Sequence, residues 1–589
     1  MTAVAAPEPG PLPLAPAAPA AGPWAGHVLA LVALTGFLLG VHLWHPGLLD
    51  PDEPRTAMVA RLMAERGDWL APHLPAVFHH DYPHDPAEGD LFAYWDKPPL
   101  YFWLAGAAMK VLGPTALAAR LPAALGYLAA VLLVYAAGRS LWGGRAGLLA
   151  GAVMATAPLP LVMAHVARID SLMVALMAAM LLAILRLGGG TARPWTWTLV
   201  LYIAAGLGLL AKGPTALVFP AAAVGVTVVL TGRWRDVWRL RPIVGAVICL
   251  AIAVPWYAYM HWRYPAAADG SSGGFLYEFF VRQHFARATT GEFGHTDRVP
   301  GYLVAVLLGG LVPWTVFLPA ALGRLAAGGW RDRRDRPAIV LLLAWPVLVL
   351  AAFSVSKTQL EHYVLPAFPP LAVFLGAYLA DRVASPGRDR LFTVGLWITI
   401  LSGAAVVTAI VVCLVRAGLW HPAHVAAVAA IAVILAGGII AIRKQRRAAS
   451  LALLVAGTAA ITAYAFVADP FGIYHVFTTH REAAILTREL RPGDRVLAFP
   501  YTPYSLAWYL WPRDVPYPAE GTGLAAEPSV PQLIEELNKP VRTFCVLQKK
   551  AAVEVIQRDV RWPVRVLSRA KQHTLIVVEP PATAAEKSP

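Results

Sequence analysis

The feature that most constrains this chain is the repeated return of apolar runs about 20 residues long, the length a helix needs to cross a hydrocarbon core of about 30 Å. A chain with many such runs belongs in a bilayer, where each must close its backbone hydrogen bonds internally as helix. The sequence is 58% hydrophobic and only 14% charged, which fits a polytopic membrane protein and little else. A net charge of +14 invites a nucleic-acid reading. The arginines, however, sit in short clusters between apolar runs, where the positive-inside bias puts them, so no nucleic-acid partner is expected. Cys249, Cys413 and Cys545 lie far apart, the first two inside apolar runs, so they form neither a disulfide framework nor a cysteine metal site.

Residues 1–23 are rich in Ala and Pro, carry no Lys or Arg, and read as a disordered tail rather than a signal peptide. The run Trp24 to Trp44 is then an uncleaved first span, followed by an outer loop over 45–116. Within that loop Pro98 to Leu112 is apolar and aromatic. As a helix it is about 22 Å long, too short to span, and is expected to lie at the interface. Twelve further spans are expected near 117–138, 146–163, 171–187, 196–211, 214–230, 243–262, 302–322, 338–353, 363–381, 391–415, 423–442 and 450–468, making thirteen. Every second loop then carries an arginine cluster, among them Arg233/Arg235/Arg239/Arg241 and Arg443/Lys444/Arg446/Arg447. Those loops are cytoplasmic by the positive-inside rule, and the remaining loops share the outer face.

From 471 to 580 the composition changes. Helices are expected over Arg481 to Leu490 and Gln532 to Leu537, and strands over Asp494 to Phe499, Arg542 to Leu547 and Thr574 to Glu579. This is a small soluble α/β domain on the outer face, without a catalytic motif, ahead of a short tail at 581–589. The fold class expected is therefore an all-α polytopic membrane protein, with outer-face interfacial helices and this C-terminal α/β domain.

The outer loops collect the polar residues. Asp50, Asp52, Glu53 and Arg55 follow the first span, and Trp95-Asp96-Lys97-Pro98-Pro99 precedes the interfacial segment. Ala167-Arg168-Ile169-Asp170, Ala211-Lys212-Gly213-Pro214 and Ser356-Lys357 through His362-Tyr363 come from later loops, with Glu278, Arg282, His284 and Arg287 from the long loop at 263–300. A charge at bilayer depth costs about 2.5 to 3.5 kcal/mol or more, so carboxylates at a membrane edge are solvated, paired or used. One use unites them: a carboxylate takes the proton of an acceptor hydroxyl as it attacks an anomeric carbon, while cations hold the departing phosphate. That is glycosyl transfer from a lipid phosphate. Lys97 suits the phosphate, because Pro98 keeps it extended and is placed to open a helix whose N-terminal NH groups also favour an anion.

Plainer readings exist for each. Asp52 can cap a helix, Asp50 can serve as a turn residue, Asp170 and Arg168 can form a structural ion pair, Lys212 can snorkel, and Lys357 and Tyr363 can be ordinary loop and belt residues. The cluster His79-His80-Asp81 with His84-Asp85, in the insert from His79 to Asp90, lacks metal-site spacing and reads as a solvated loop. A secondary transporter also carries acids and lysines between spans. Its groups, however, lie near the midplane and often come with inverted repeats, neither of which is seen here.

Together, Asp-Glu-x-Arg after the first span, Lys-Pro-Pro-Leu-Tyr-Phe-Trp, Arg-x-Asp, Ala-Lys-Gly-Pro, and Ser-Lys followed by Tyr-Val-Leu-Pro resemble the GT-C glycosyltransferases, a group that includes lipid A aminoarabinose transferases and protein O-mannosyltransferases. The aminoarabinose branch is closest, over about residues 24–470. The resemblance implies a GT-C membrane domain and a donor of undecaprenyl or another polyprenyl phosphate sugar. The acceptor it implies is lipid A or a protein, and the location a bacterial inner membrane with the site and C-terminal domain facing the periplasm. It implies Asp52 as base with Glu53 beside it, Asp170 as a second acid, and Arg55, Lys97 and Tyr363 at the donor phosphate, with Lys212 and Lys357 also matching family lysines. No cofactor is required. The branch can hold a zinc ion, for which the matching positions are Asp96, shorter than the family's usual Glu, and His284. A monomer is expected.

Overall fold

A computed structural model describes residues 24–75, 91–266, 273–290, 298–328, 336–385, 389–416, 418–469, 477–499, 503–512, 529–548, 550–569 and 573–581. The two expected tails, apart from Pro581, and the cluster from His79 to Asp90 lie outside the described residues.

Helix forms at every one of the apolar runs, beginning with Trp24–Gly40 and closing with Arg390–Arg416, Pro422–Arg443 and Arg447–Ala468. Among the described residues nine helices are long and apolar enough to span by length and composition, or ten if the bent pair Tyr302–Gly310 and Trp314–Leu325 is one broken span. Two expected runs form two helices within the 41-residue stretch Ala116–Thr156, which breaks at Trp142 and Gly143, the glycine taking φ 86°, so that the halves pack on each other and the Tyr127 hydroxyl donates to the Met154 carbonyl at 2.7 Å. The segment read as interfacial is the 13-residue helix Leu100–Leu112.

Small residues let the central helices approach closely. At Gly376 in helix Phe368–Ala384, an added Cβ would sit 2.5 Å from the backbone nitrogen of Ala150 and 2.6 Å from the carbonyl of Ala146, both in the 41-residue stretch. Without a hydrophobic driving force between helices in lipid, such close backbone contact supplies the attraction. Arg120 is wholly buried in the first half of that stretch, and its position is set by a partner from the outer loop described below.

At one end of the bundle, helix Asp52–Arg66 packs with Leu100–Leu112 and with a two-stranded antiparallel ribbon, β1 (His73–Pro75) and β2 (Leu91–Ala93). The C-terminal region forms a four-stranded sheet in the order β3-β4-β6-β5, from β3 (Arg495–Phe499), β4 (Thr543–Leu547), β5 (Val564–Arg569) and β6 (Thr574–Val578). β3 runs parallel to β4, and the other pairs are antiparallel. Alternate residues face opposite ways. Leu497, Phe499, Cys545 and Ile576 join Leu533 and Ile556 on one face, while Val496, Ala498, Phe544 and Val577 join Leu486 and Leu506 on the other. Helices cover both faces, so β3, β4 and β6 read as nearly continuous apolar runs. Three elements were not expected from the sequence: Tyr504–Leu510, Lys550–Asp559 and β5, the last an edge strand whose side chains are mostly half-buried.

Candidate active site

Helix ends from one side of the bundle, with two outer-loop segments, enclose a cavity of about 470 Å³. Asp52 and Arg55 enter it from the first turn of helix Asp52–Arg66, where Asp52 makes no capping bond. Tyr94, Asp96 and Lys97 come from the strand and turn after β2. Arg168 and Asp170 come from the start of helix Asp170–Gly188, and Lys212 from the end of helix Pro194–Lys212. Arg282, Gln283, His284 and Arg287 come from a π-helical segment, Tyr277–Ala286, and the residue after it, while His362 and Tyr363 open the helical segment leading into Phe368–Ala384.

Gly213 explains the Ala-Lys-Gly-Pro motif. It takes φ 75°, and a Cβ there would lie 2.8 Å from Phe279 and 3.1 Å from His284 Nε2. Only glycine allows both that backbone and the approach of the π-helical segment, so the motif fixes Lys212 beside His284.

The charges form a continuous network. Arg55 Nη2 donates to Asp52 Oδ1 at 2.9 Å, and Arg168 Nη1 reaches Asp52 Oδ2 at 3.0 Å. Arg168 Nε then meets Asp170 Oδ2 at 3.4 Å, and Lys212 Nζ donates to Asp170 Oδ1 while lying 6.0 Å from the Tyr363 ring centre. Arg168 also lies 3.3 Å from both ring nitrogens of His362. On the far side Arg55 Nη1 faces Asp96 Oδ2 at 3.7 Å, Gln283 Nε2 donates to Asp96 Oδ1 at 2.7 Å, and Lys97 Nζ donates to the Asp96 carbonyl at 3.1 Å.

Exposure separates the acids. The Asp52 side chain is 36% exposed, into the cavity, against 5% for Asp170 and 9% for Asp96, so Asp52 is the carboxylate a substrate can reach. Burial alone would raise its carboxyl, but Arg168 and Arg55, with His362 and Lys97 behind them, hold it below the ordinary value. It is ionised at neutral pH. Lys97 moves the other way: burial first, then the Arg287 charge, push it down to about 7 against the pull of Asp96.

Asp52, Asp170, Arg55, Lys97, Lys212, Tyr363, Asp96 and His284 thus all line one cavity. Two expected residues do not. Glu53 is wholly buried behind Asp52, bound by Arg120 at 2.6 and 2.8 Å and accepting from the backbone NH of Leu49 at 2.8 Å and Ala167 at 2.7 Å. On a helix, consecutive residues point about 100° apart, so Asp52 and Glu53 cannot share the cavity. Lys357 is exposed and outside the lining; its contact is a backbone hydrogen bond to Ala288 at 2.8 Å. Asp50, read as a turn residue, is held by Ser505 of the C-terminal domain.

Tyr94, Gln283 and His362 went unassigned in the sequence. Tyr94 and His362 adjoin motifs that were recognised, whereas Gln283 carries no signal beyond its loop. A zinc ion fits poorly between Asp96 and His284. Asp96 is engaged by Gln283 and Arg55, and the His284 ring is bonded to the backbone of both Phe279, at 2.6 Å from Nδ1, and Lys212. Among the described residues no group of three or more His, Cys, Asp or Glu is arranged to hold an ion. No step of the chemistry is routed through a metal.

Among the described residues the architecture is a polytopic helical bundle with a charged cavity at the helix ends on one side and a C-terminal α/β region. Over nearly all of its length the chain is similar in fold to crystal structures of ArnT from Cupriavidus metallidurans. The structure bound to undecaprenyl phosphate gives a TM-score of 0.72 at 21% identity, covering 96% of this chain and 99% of that one. The apo state gives 0.69 at 22% identity with the same coverage. Residues 96–259 match the family described as dolichyl-phosphate-mannose-protein mannosyltransferase. Among known proteins, an undecaprenyl phosphate-alpha-4-amino-4-deoxy-L-arabinose arabinosyl transferase of Pectobacterium carotovorum subsp. carotovorum (strain PC1) is 29% identical over 387 residues, 65% of this chain and 64% of its own. One from Serratia proteamaculans (strain 568) is 30% identical over 369 residues, 62% of this chain and 61% of its own. The chain therefore matches less than two thirds of either relative's length. What the two ArnT structures share with this chain is the fold.

Proposed function

We propose that this protein is a membrane glycosyltransferase that moves a sugar from an undecaprenyl phosphate donor to an acceptor at the periplasmic face of a bacterial inner membrane, and that it modifies lipid A with aminoarabinose or a related sugar. The observation that carries this reading is the cavity itself, where an accessible ionised carboxylate faces a set of cations at the helix ends on one side of the bundle. A transporter would gather such groups near the midplane. The names of the relatives support the donor, and the resemblance in the motifs supports the acceptor.

In the proposed reaction an acceptor oxygen attacks the anomeric carbon, the bond from that carbon to the donor phosphate breaks, and the electron pair leaves with polyprenyl phosphate. Asp52 receives the acceptor's proton where the acceptor is a hydroxyl. Arg55, Lys97, Arg287, Lys212 and Tyr363, which line the same cavity, face the developing negative charge on the phosphate. Asp170, paired with Lys212 and Arg168, fixes those cations rather than meeting substrate. The match over residues 96–259 favours a second reading, transfer to protein hydroxyls.

The test supplies purified protein with radiolabelled undecaprenyl phosphate sugars and either lipid A or peptides. Label on lipid A supports the first reading and label on peptide the second. Solute movement across liposomes with no transfer from any donor overturns both.

A further inference from the structure

The helix that carries Asp52 and Arg55 is gripped along its length by the C-terminal domain. Ser505 donates its backbone NH to Asp50 Oδ1 at 2.7 Å and its hydroxyl meets Asp50 Oδ2 at 2.5 Å, while the Asp50 NH donates to the Phe477 carbonyl at 2.7 Å. Upstream, the Tyr509 hydroxyl accepts from the Leu48 NH at 2.8 Å and donates to the Pro46 carbonyl at 2.6 Å. Further along the helix, Arg61 donates to the Trp508 carbonyl at 3.2 Å and lies over the Trp508 ring at 5.2 Å, and Trp511 Nε1 donates to Glu65 at 3.1 Å.

This is a built contact. Ser505 is wholly buried and Trp508 is 3% exposed, and Ala507 and Trp508 share one apolar core with Leu48, Met58 and Leu62. Two supports therefore meet at the catalytic turn from opposite sides. Glu53 is fixed by Arg120 of the membrane bundle, and Asp50 by Ser505 of the outer domain. Asp52 lies between them in sequence.

We infer that the C-terminal domain is part of the catalytic apparatus, and that Asp50 and Ser505 are positioning residues which set the Asp52 carboxylate against the acceptor. This rests on the glycosyltransferase reading above. The geometry has a chemical reason: a general base must sit within hydrogen-bond reach of its proton, and a misplacement of about 1 Å can cost about 10²-fold in rate. Asp50 and Ser505 supply that restraint without touching substrate. Burial, resisted by the Ser505 hydrogen bonds, pushes Asp50 up to about 7, so asparagine is a near-isostere of the neutral form.

The experiment measures transfer from undecaprenyl phosphate-linked aminoarabinose to lipid A by full-length wild type and the variants Asp50→Ala, Asp50→Asn, Ser505→Ala and Tyr509→Phe, with melting temperature in detergent recorded for each. For Asp50→Ala and Ser505→Ala the expected result is a kcat lower by tenfold or more in the folded fraction and a donor KM within threefold of wild type, because Lys97, Lys212 and Tyr363 are untouched. Asp50→Asn should recover most of the loss. If both alanine variants keep kcat within twofold, or lose only melting temperature, the contact is merely structural and the positioning role is overturned. Should Asp50→Ala fail to fold, Ser505→Ala and Tyr509→Phe decide by the same criterion. A wild type that transfers no sugar from any polyprenyl donor overturns the glycosyltransferase reading instead.

Discussion

Single residues at the site differ in how they use their charge. Asp52 is ionised and reachable, so Asp52→Asn should lower transfer by about 10²-fold or more, in line with loss of a general base, while undecaprenyl phosphate still binds. Separate turnover and binding assays check this. Lys97 makes an opposite prediction. A buried lysine at about 7 is half neutral there, and only its protonated form attracts phosphate, so donor binding should take up a proton. Donor affinity should hold below pH 7 and fall by up to about tenfold per unit above it, where Lys97 is neutral in the free protein, until the pH passes the higher pKa that the bound phosphate gives the lysine. Titration calorimetry in buffers of different ionisation enthalpy reads the proton directly, and the slope should vanish in Lys97→Met. Glu53 is a structural acid: removing one partner of a buried ion pair costs about 3–5 kcal/mol, so Arg120→Ala should lower the melting temperature sharply. The sequence placed Asp52, Arg55, Lys97 and Asp170 because their motifs are local. That Glu53 faces away from the cavity is not legible in the sequence, because its partner Arg120 lies 67 residues away and adjacency in the chain says nothing about which side of a helix meets such a partner.

At the level of elements, the apolar runs were legible because lipid imposes one rule on all of them, that backbone polar groups close within the segment. What the runs did not reveal is where they break. Ala116–Thr156 holds the two helices that were expected, turned on each other at Trp142 and Gly143 with no loop to mark the turn, and Tyr302–Gly310 meets Trp314–Leu325 at 102°. Such breaks depend on packing. The close crossing at Gly376 follows the same logic, since no periodicity marks which glycine meets a neighbour's backbone. Gly376→Val would drive a branched side chain into the backbone at Ala146 and Ala150. Overpacking of this kind typically costs about 1–3 kcal/mol, and a backbone contact has less room to yield than a side chain. Detergent-solubilised Gly376→Val should therefore melt well below wild type or be recovered in low yield, whereas Gly36→Val, with open space around its Cβ, should not. In the C-terminal domain, the strands apolar on both faces were recognised, while β5 was not, because an edge strand with half-buried residues carries little pattern.

For the molecule as a whole, function depends on which side of the membrane each end of the bundle faces. The cavity gathers the ends of Pro194–Lys212 and Arg336–Ser354 and the starts of Asp170–Gly188 and Thr215–Thr231, and the opposite ends carry the arginine clusters. The proposed orientation applies the positive-inside rule to those clusters and has the cavity and the C-terminal domain outside. That assignment depends on Leu100–Leu112 not spanning, because one added span would invert every later loop. Two arginines report the two sides: Arg558, 74% exposed on the outer domain, and Arg239, 53% exposed at the far end of the bundle. With Cys249, Cys413 and Cys545 replaced by alanine, Arg558→Cys should react with a membrane-impermeant maleimide in cells whose outer membrane alone is permeable. Arg239→Cys should react only after the inner membrane is opened. The reverse pattern would put the cavity in the cytoplasm, where lipid A modification at the periplasmic face could not occur.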